Sequence, residues 1–283
     1  MCRFVLYMGP AISMSSLVTE PTHSIVVQSY HSDERKEPLN GDGFGVAWYP
    51  HDESRAPGVF RSLTPAWNNL NLISLSRVIR SRCMLAHVRA ASPGLPVTQL
   101  NCHPFVRGQF CFMHNGGIGN FATVKRKLSS MLSDSSYDWI QGATDSEHIF
   151  ALLADELTVA EGGSTAEKVA NALLATISKV EQLRRSLKIE APCALNLVVT
   201  DGRSAVVSRY SSKGTLPNSL HIHTGHRYSC DAGDAKLSPC DAPTVLVASE
   251  ALTPDKSWHT VEPNQLVVIN AALDIDIRPI SLH

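Results

Sequence analysis

The sequence predicts an α+β fold built on mainly antiparallel sheets. Three observations carry this. Short runs rich in Val, Ile and aromatic residues read as strands. They come in clusters, with a block of helical periodicity between them. Regular strand–helix alternation, the mark of a parallel sheet, is missing.

In chain order the early strands are "FVLYM" from residue 4, "SIVVQ" from 24, "FGVAWY" from 44, "CMLAHV" from 83 and "QFCFMH" from 109. A helix is expected within "PAWNNLNLISLSRVIRS", where Leu72, Leu75 and Ile79 share a face. Another is expected in "NFATVKRKLSSML", through Phe121, Val124, Leu128 and Leu132. "TDSEHIFALLADEL" opens with a capping box, Thr144 to Glu147, and "STAEKVANALLATISKVEQL" with a second, Ser164 to Glu167. The "EGGS" stretch between them reads as a loop. The late strands are "ALNLVVTD", "AVVSRY", "LHIHTG", "TVLVASE" and "QLVVINA".

The 283 residues include 25 Lys and Arg and 26 Asp and Glu, a net charge of −1. No bulk charge draws the chain to nucleic acid or an anionic membrane, so a small-molecule or protein partner is expected. No run of about 18 apolar residues is present to span a bilayer. Gly9-Pro10 interrupts the short apolar core that a signal peptide would need. The cysteines are Cys2, Cys83, Cys102, Cys111, Cys193, Cys230 and Cys240, odd in number and without a CxxC pair. That pattern fits free thiols in a reducing, cytoplasmic setting. Cys83, Cys102 and Cys111 lie in apolar runs and read as core.

Cys2 is different because of its place. Methionine excision accepts a small second residue, so Met1 is expected to be removed. Cys2 would then carry a thiol of reference pKa about 8.5 beside an α-amine of about 7.7–8.0. An amine near neutrality can serve as the base for that thiol. Further on, a strand runs into Asn115-Gly116-Gly117. A carboxamide N–H next to a glycine backbone N–H suits a developing oxyanion. The same tripeptide is also a common strand-ending turn. In "LAHVRAASPG", Arg89 ends a strand, where it can face solvent or clamp a carboxylate. Asp145 stands in the first turn of a helix, where it favours the dipole and could also bind an ammonium group. Arg89 and Asp145 together would read an amino-acid zwitterion.

These stretches, in the order Cys-Arg, "NGDGFGVAWY", "AHVRAASPG", "NCHPF…MHNGGI" and "TDSE", resemble the class II glutamine amidotransferases, a branch of the N-terminal-nucleophile hydrolases. "PTHSIVVQSY", "LTPAWNNLNL" and "NGGIGNF" are more narrowly similar to the amidotransferase-like subunits of fungal glutathione degradation. A sister group cleaves a γ-glutamyl amide in ergothioneine synthesis. The resemblance implies a single domain over residues 2–283 with a four-layer αββα sandwich. It implies Cys2 as nucleophile and Asn115 with Gly116 as the oxyanion hole. Arg89, assisted by Ser92, would hold the substrate α-carboxylate and Asp145 its α-ammonium. Two departures bear on specificity: Ala90-Ala91 replaces an aromatic that often follows the arginine, and Ser92 stands where threonine is common.

The resemblance further implies cleavage of the γ-glutamyl bond of glutathione, beside a metallopeptidase-like partner subunit and with no cofactor. Glutamine hydrolysis that feeds ammonia to a synthase is the alternative, and a γ-glutamyl hydrolase of an ergothioneine-type pathway is another. A non-catalytic scaffold follows if Met1 is retained. His221, His223 and His226 form a separate feature. His221 and His223 would share a strand face, where a metal pair is conceivable, but no carboxylate or thiol companions stand at a familiar spacing and a polar strand edge is the better explanation. The glycines of "GDGFG" read as tight turns. The resemblance places that stretch beside the site, and Ser249-Glu250 of "ASEALTPDKSW" receives no role.

Overall fold

The computed structural model describes residues 2–34, 39–50, 56–91, 94, 96–212, 215–239 and 244–282. The strands are β1 (Arg3–Ser13), β2 (Phe44–Trp48), β3 (Gly58–Ser62), β4 (Arg80–Val88), β5 (Phe105–Arg107), β6 (Phe110–Gly117), β7 (Ala194–Thr200), β8 (Ala205–Ser211), β9 (His221–Asp231), β10 (Asp234–Pro239), β11 (Thr244–Ala248), β12 (His259–Thr260), β13 (Gln265–Ile269) and β14 (Ile275–Pro279). The helices are α1 (Ser15–Val18), α2 (Ile25–Gln28), α3 (Leu70–Val78), α4 (Phe121–Ser129), α5 (Asp134–Trp139), α6 (Asp145–Val159) and α7 (Thr165–Ser186).

Two sheets result. One runs β10-β9-β11-β1-β4-β2-β3, with β12 also on β9, and the other runs β14-β13-β8-β7-β6-β5. The pairings β1–β11, β1–β4, β2–β4, β9–β11, β8–β13 and β7–β8 are antiparallel. The expected α+β class with two antiparallel sheets therefore holds.

The chain divides into two compact units. The first comprises residues 1–111, 201–203 and 219–261, and the second 112–200, 204–218 and 262–283. In the first unit β1 lies at the centre of its sheet, and Arg3 to Met8 are buried throughout. Val5 and Tyr7 pack with Met84, Ala86 and Leu246 against Met14, Leu17, Ile25 and Leu72 from the helical segments. Each of the Val, Leu, Ile and Met side chains among them, fully buried, contributes about 1.5–3 kcal/mol.

The "SIVVQ" stretch, expected as a strand, is the single-turn helix α2. The Ser24 hydroxyl accepts the Val27 N–H at 3.3 Å and caps that turn. Ile25 inserts into the core, so the cap and one buried side chain override the β-branched run.

In the second unit both N-caps form, with Glu147 N donating to Thr144 Oγ1 and Glu167 N to Ser164 Oγ, each at 3.3 Å. The Glu147 carboxylate returns a bond to the Thr144 backbone, whereas that of Glu167 pairs with Arg278. Along α7, Val169, Leu173, Ile177 and Val180 recur at helical spacing and are buried. Helix α3 stops at Val78, and Ile79 continues in extended conformation, so it does not extend the face of Leu72.

Candidate active site

The first unit gathers three strand ends around Cys2. Arg3 pairs with Val88 across β1 and β4, and Phe44 pairs with Val88 across β2 and β4. One step beyond those pairs lie Cys2, Arg89 and Gly43. Cys2 Sγ reaches the Ala90 carbonyl at 3.5 Å. Arg89 N donates to Gly43 O at 2.8 Å, and Asp42 N donates to Arg89 O at 3.1 Å.

Asp42 then clasps the segment after β4. Its carboxylate accepts the Ala91 N–H at 2.8 Å, and its carbonyl accepts from Arg89 Nη1 at 3.3 Å. Gly43 is required where it stands. Its φ is +106°, and a Cβ there would lie 2.7 Å from Cys102 Sγ and 2.9 Å from Ser62 O. The "GDGFG" stretch is thus more than a turn, because it fixes the backbone that carries Arg89. Arg89 is 4% exposed. Ser92 lies outside the described residues.

Burial separates Cys2 from other thiols. Cys83, Cys102, Cys111 and Cys193 are buried, whereas Cys2 and Cys230 are partly exposed. Burial pushes Cys111 up to about 12, and burial with the Glu181 charge does the same to Cys193. Burial also raises Cys102, against the lowering pull of Arg89 and Arg61. Raised thiols are poor nucleophiles at neutral pH.

The N-terminal strand is anchored from both sides of its backbone. Phe4 N donates to Ser249 Oγ at 3.1 Å, and Ser249 N donates to Phe4 O at 3.0 Å. Arg3 Nε donates to Glu250 Oε1 at 2.6 Å with both side chains buried. The Ser249-Glu250 dipeptide, assigned no role from sequence, is therefore the latch for the residue after Cys2.

The second unit gathers Asn115, Gly116 and Asp145. Asn115 and Gly116 end β6. Gly116 has φ +150°, and a Cβ there would lie 1.8 Å from Ala194 O, so only glycine fits. Asp145 is the first residue of α6, after the Thr144 cap. Its Oδ2 accepts the Ile118 N–H at 2.8 Å and its Oδ1 the Ser146 N–H at 2.9 Å. The carboxylate is thereby tied two residues past Gly116.

His114 braces the same corner, with Nδ1 2.9 Å from Ser146 Oγ and Nε2 3.2 Å from Ala194 O. Burial lowers its pKa despite the Asp145 charge, so the ring is held neutral. Asn115 is held in turn by Asn218, whose Nδ2 donates to Asn115 Oδ1 at 3.0 Å. Sequence reasoning missed Asn218, which sits in "LPNSL" with no motif to flag it.

The family model for "Glutamine amidotransferases class-II" matches residues 11–276. The chain belongs to the class II glutamine amidotransferases. It is similar to the "Probable glutamine amidotransferase DUG3" of Saccharomyces cerevisiae, 40% identical over 95% of this chain and 82% of that one. It is also similar to the "Gamma-glutamyl-hercynylcysteine sulfoxide hydrolase" of Mycolicibacterium smegmatis, 28% identical over 96% of this chain and 97% of that one. Among solved structures, a glutamine aminotransferase class-II domain protein from Silicibacter pomeroyi matches with a TM-score of 0.65. The two are 26% identical over 99% of this chain and 100% of that one. The class II amidotransferase family and its fold are thus shown by the whole length of the chain and not by the motifs alone.

The histidine trio falls outside this picture. The β9–β11 register shifts between Thr244 and Leu246. That bulge brings the rings of His223 and His226 within 5.2 Å of each other, while His221 Nε2 lies 2.8 Å from Glu34 Oε1. His221, Ile222 and His223 pair in unbroken register with Ala248, Val247 and Leu246, so His221 and His223 share a strand face as expected, and each has its own separate contacts. Among the described residues, no group of three His, Cys, Asp or Glu is arranged to hold a metal ion. No helix among them is long and apolar enough to cross a membrane.

Proposed function

We propose that this chain is a γ-glutamyl amidohydrolase that acts through a Cys2 thioester. The observation that carries the reading is the position of the Cys2 thiol. It is partly exposed, 3.5 Å from the Ala90 carbonyl and next to the strand end that holds the buried Arg89. A guanidinium taken out of water needs an anion, and its fork fits a carboxylate.

With Met1 removed, the Cys2 α-amine takes the thiol proton and the thiolate attacks the γ-carbonyl. Asn115 Nδ2 and the Gly116 N–H stabilise the oxyanion. The proton passes to the departing amine, the C–N bond breaks and a thioester remains. Water then cleaves the thioester, releases glutamate and restores the thiol. Arg89, with Ser92, holds the substrate α-carboxylate, and Asp145 holds its α-ammonium. These steps use protein groups and water alone.

The family match runs through both compact units, which supports a single amidotransferase-like domain over residues 2–283. One relative is named as a γ-glutamyl hydrolase, which supports an amide larger than glutamine as substrate. We take glutathione as the substrate, with cysteinylglycine leaving, in a cytoplasmic complex with a metallopeptidase-like partner. The name of the yeast relative favours glutamine as the competing substrate, with ammonia leaving.

A panel of glutathione, glutamine and a γ-glutamyl anilide, assayed with and without candidate partner proteins, decides between them. Cysteinylglycine release that Cys2→Ala abolishes is the expected result. Undiminished turnover in Cys2→Ala, or a mature protein whose intact mass retains Met1, overturns the mechanism.

A further inference from the structure

We infer that Asn218 is a positioning residue that sets which end of the Asn115 carboxamide faces the reacting carbonyl. The inference rests on the reading of Asn115 as an oxyanion donor. A carboxamide has two ends of nearly equal shape and opposite polarity. With its NH2 toward the substrate, Asn115 stabilises a developing negative charge. Turned by half a rotation about its last torsion, it presents an oxygen and repels that charge. Asn115 is 1% exposed, so water cannot be relied on to select the orientation.

The surrounding hydrogen bonds make the selection. Asn218 Nδ2 lies 3.0 Å from Asn115 Oδ1 and 3.4 Å from the Asn115 backbone carbonyl. A backbone carbonyl only accepts, so the Asn218 atom that faces it must be the nitrogen. The Asn115 side-chain atom beside that nitrogen must then be the oxygen. The Asn115 NH2 is left at the opposite end of its amide.

Asn218 is itself fixed. Its carbonyl accepts from Asn196 Nδ2 at 3.0 Å and from Arg209 Nε at 2.9 Å. Asn196 and Arg209 are direct partners across the β7–β8 ladder. Two regular strands thus hold one loop residue, and that residue orients an amide 103 positions earlier in the chain. Turning the Asn115 amide would set two NH2 donors against each other in a dry site and forfeit this hydrogen bond.

The test is steady-state release of p-nitroaniline from γ-glutamyl-p-nitroanilide by Asn218→Asp, Asn218→Ala, Asn115→Ala and the double variant Asn115→Ala/Asn218→Asp. Asn218→Asp keeps the shape, but its carboxylate only accepts, so it draws the Asn115 NH2 inward and turns the oxygen outward. At neutral pH its kcat is expected to fall at least tenfold, with KM within twofold, because the lost interaction exists only in the transition state. Asn218→Ala removes the bias without reversing it and should lie between wild type and Asn218→Asp. As pH falls and the introduced carboxyl gains a proton, it becomes a donor, and kcat relative to wild type should recover. The double variant should match Asn115→Ala within twofold.

Wild-type kcat in Asn218→Asp, while Asn115→Ala is impaired, overturns the inference. So does a larger loss in Asn218→Ala than in the isosteric Asn218→Asp, which is the signature of packing alone. Should Asn218→Asp fail to fold, Asn218→Leu replaces it: lowered kcat with KM kept supports the inference, and wild-type kcat overturns it. An Asn115→Ala variant with wild-type kcat, or wild-type protein that releases no anilide, fails at the proposed function itself and is distinguished by that.

Discussion

Arg3 and Glu250 form an ion pair at 2.6 Å, each side chain 2% exposed, one residue from Cys2. Ser32 Oγ and the Asp33 N–H also donate to Glu250, and Asn40 Oδ1 accepts from Arg3 Nη1. Burial alone would raise the Glu250 carboxyl. The hydrogen bonds from Ser32 and Arg3 and the Arg3 charge outweigh it, and the group sits below the usual carboxylate range. A depressed folded pKa means that the unfolded chain binds the proton more tightly. The contribution is therefore whole above the unfolded value of about 4.3 and is lost as pH falls through the folded one.

Glu250→Gln should lower stability by about 3–5 kcal/mol at neutral pH, the range for breaking a buried pair. The gap between variant and wild type should stay constant down to about pH 5 and narrow below about 4.3. Urea midpoints across pH measure it, and a gap that persists unchanged in acid refutes the assignment.

Arg89→Ala should raise KM for any γ-glutamyl substrate by the equivalent of about 2–5 kcal/mol with little change in folding. Arg89→Lys should recover only part of this, since an ammonium is a point charge and not a two-pronged donor. A wild-type KM in Arg89→Lys would show that fork geometry is irrelevant.

Gly116→Ala places a methyl group where Ala194 O already stands, at 1.8 Å, on a backbone of φ +150°. The strand end must shift, and the Gly116 N–H shifts with it. A fall in kcat of about 10²-fold is expected, together with about 1–3 kcal/mol of lost stability from backbone strain. Kinetics and a thermal melt on one preparation check both.

Asp145→Asn keeps one accepting oxygen for the Ile118 and Ser146 amides, which use one each in the native chain, and removes the charge. KM for γ-glutamyl substrates should rise, whereas KM for glutaryl amides, which lack the α-amine, should not. A parallel rise for both substrate types would assign Asp145 to scaffolding alone.

Much of the fold was legible because its signals are local. The N-caps at Thr144 and Ser164 and the β-branched runs of β7, β11 and β13 fix their elements through contacts a few residues apart. "SIVVQ" misled because a single serine cap and one buried isoleucine decide a four-residue turn. Asn115, Gly116, Arg89 and Asp145 could be named because each carries its chemistry in its own side chain or backbone.

The supporting residues could not be read this way. Asn218, Glu250 and Asp42 are ordinary polar residues whose roles exist only through partners 103, 247 and 49 positions away. The sequence by itself determined which groups can attack, donate and bind. Only the tertiary structure decided which way Asn115 turns, what anchors the strand after Cys2 and what holds the segment beyond Arg89. Hydrogen bonds between residues far apart in the chain leave no periodic trace in it, and they acquire direction only once the strands that bear them are paired.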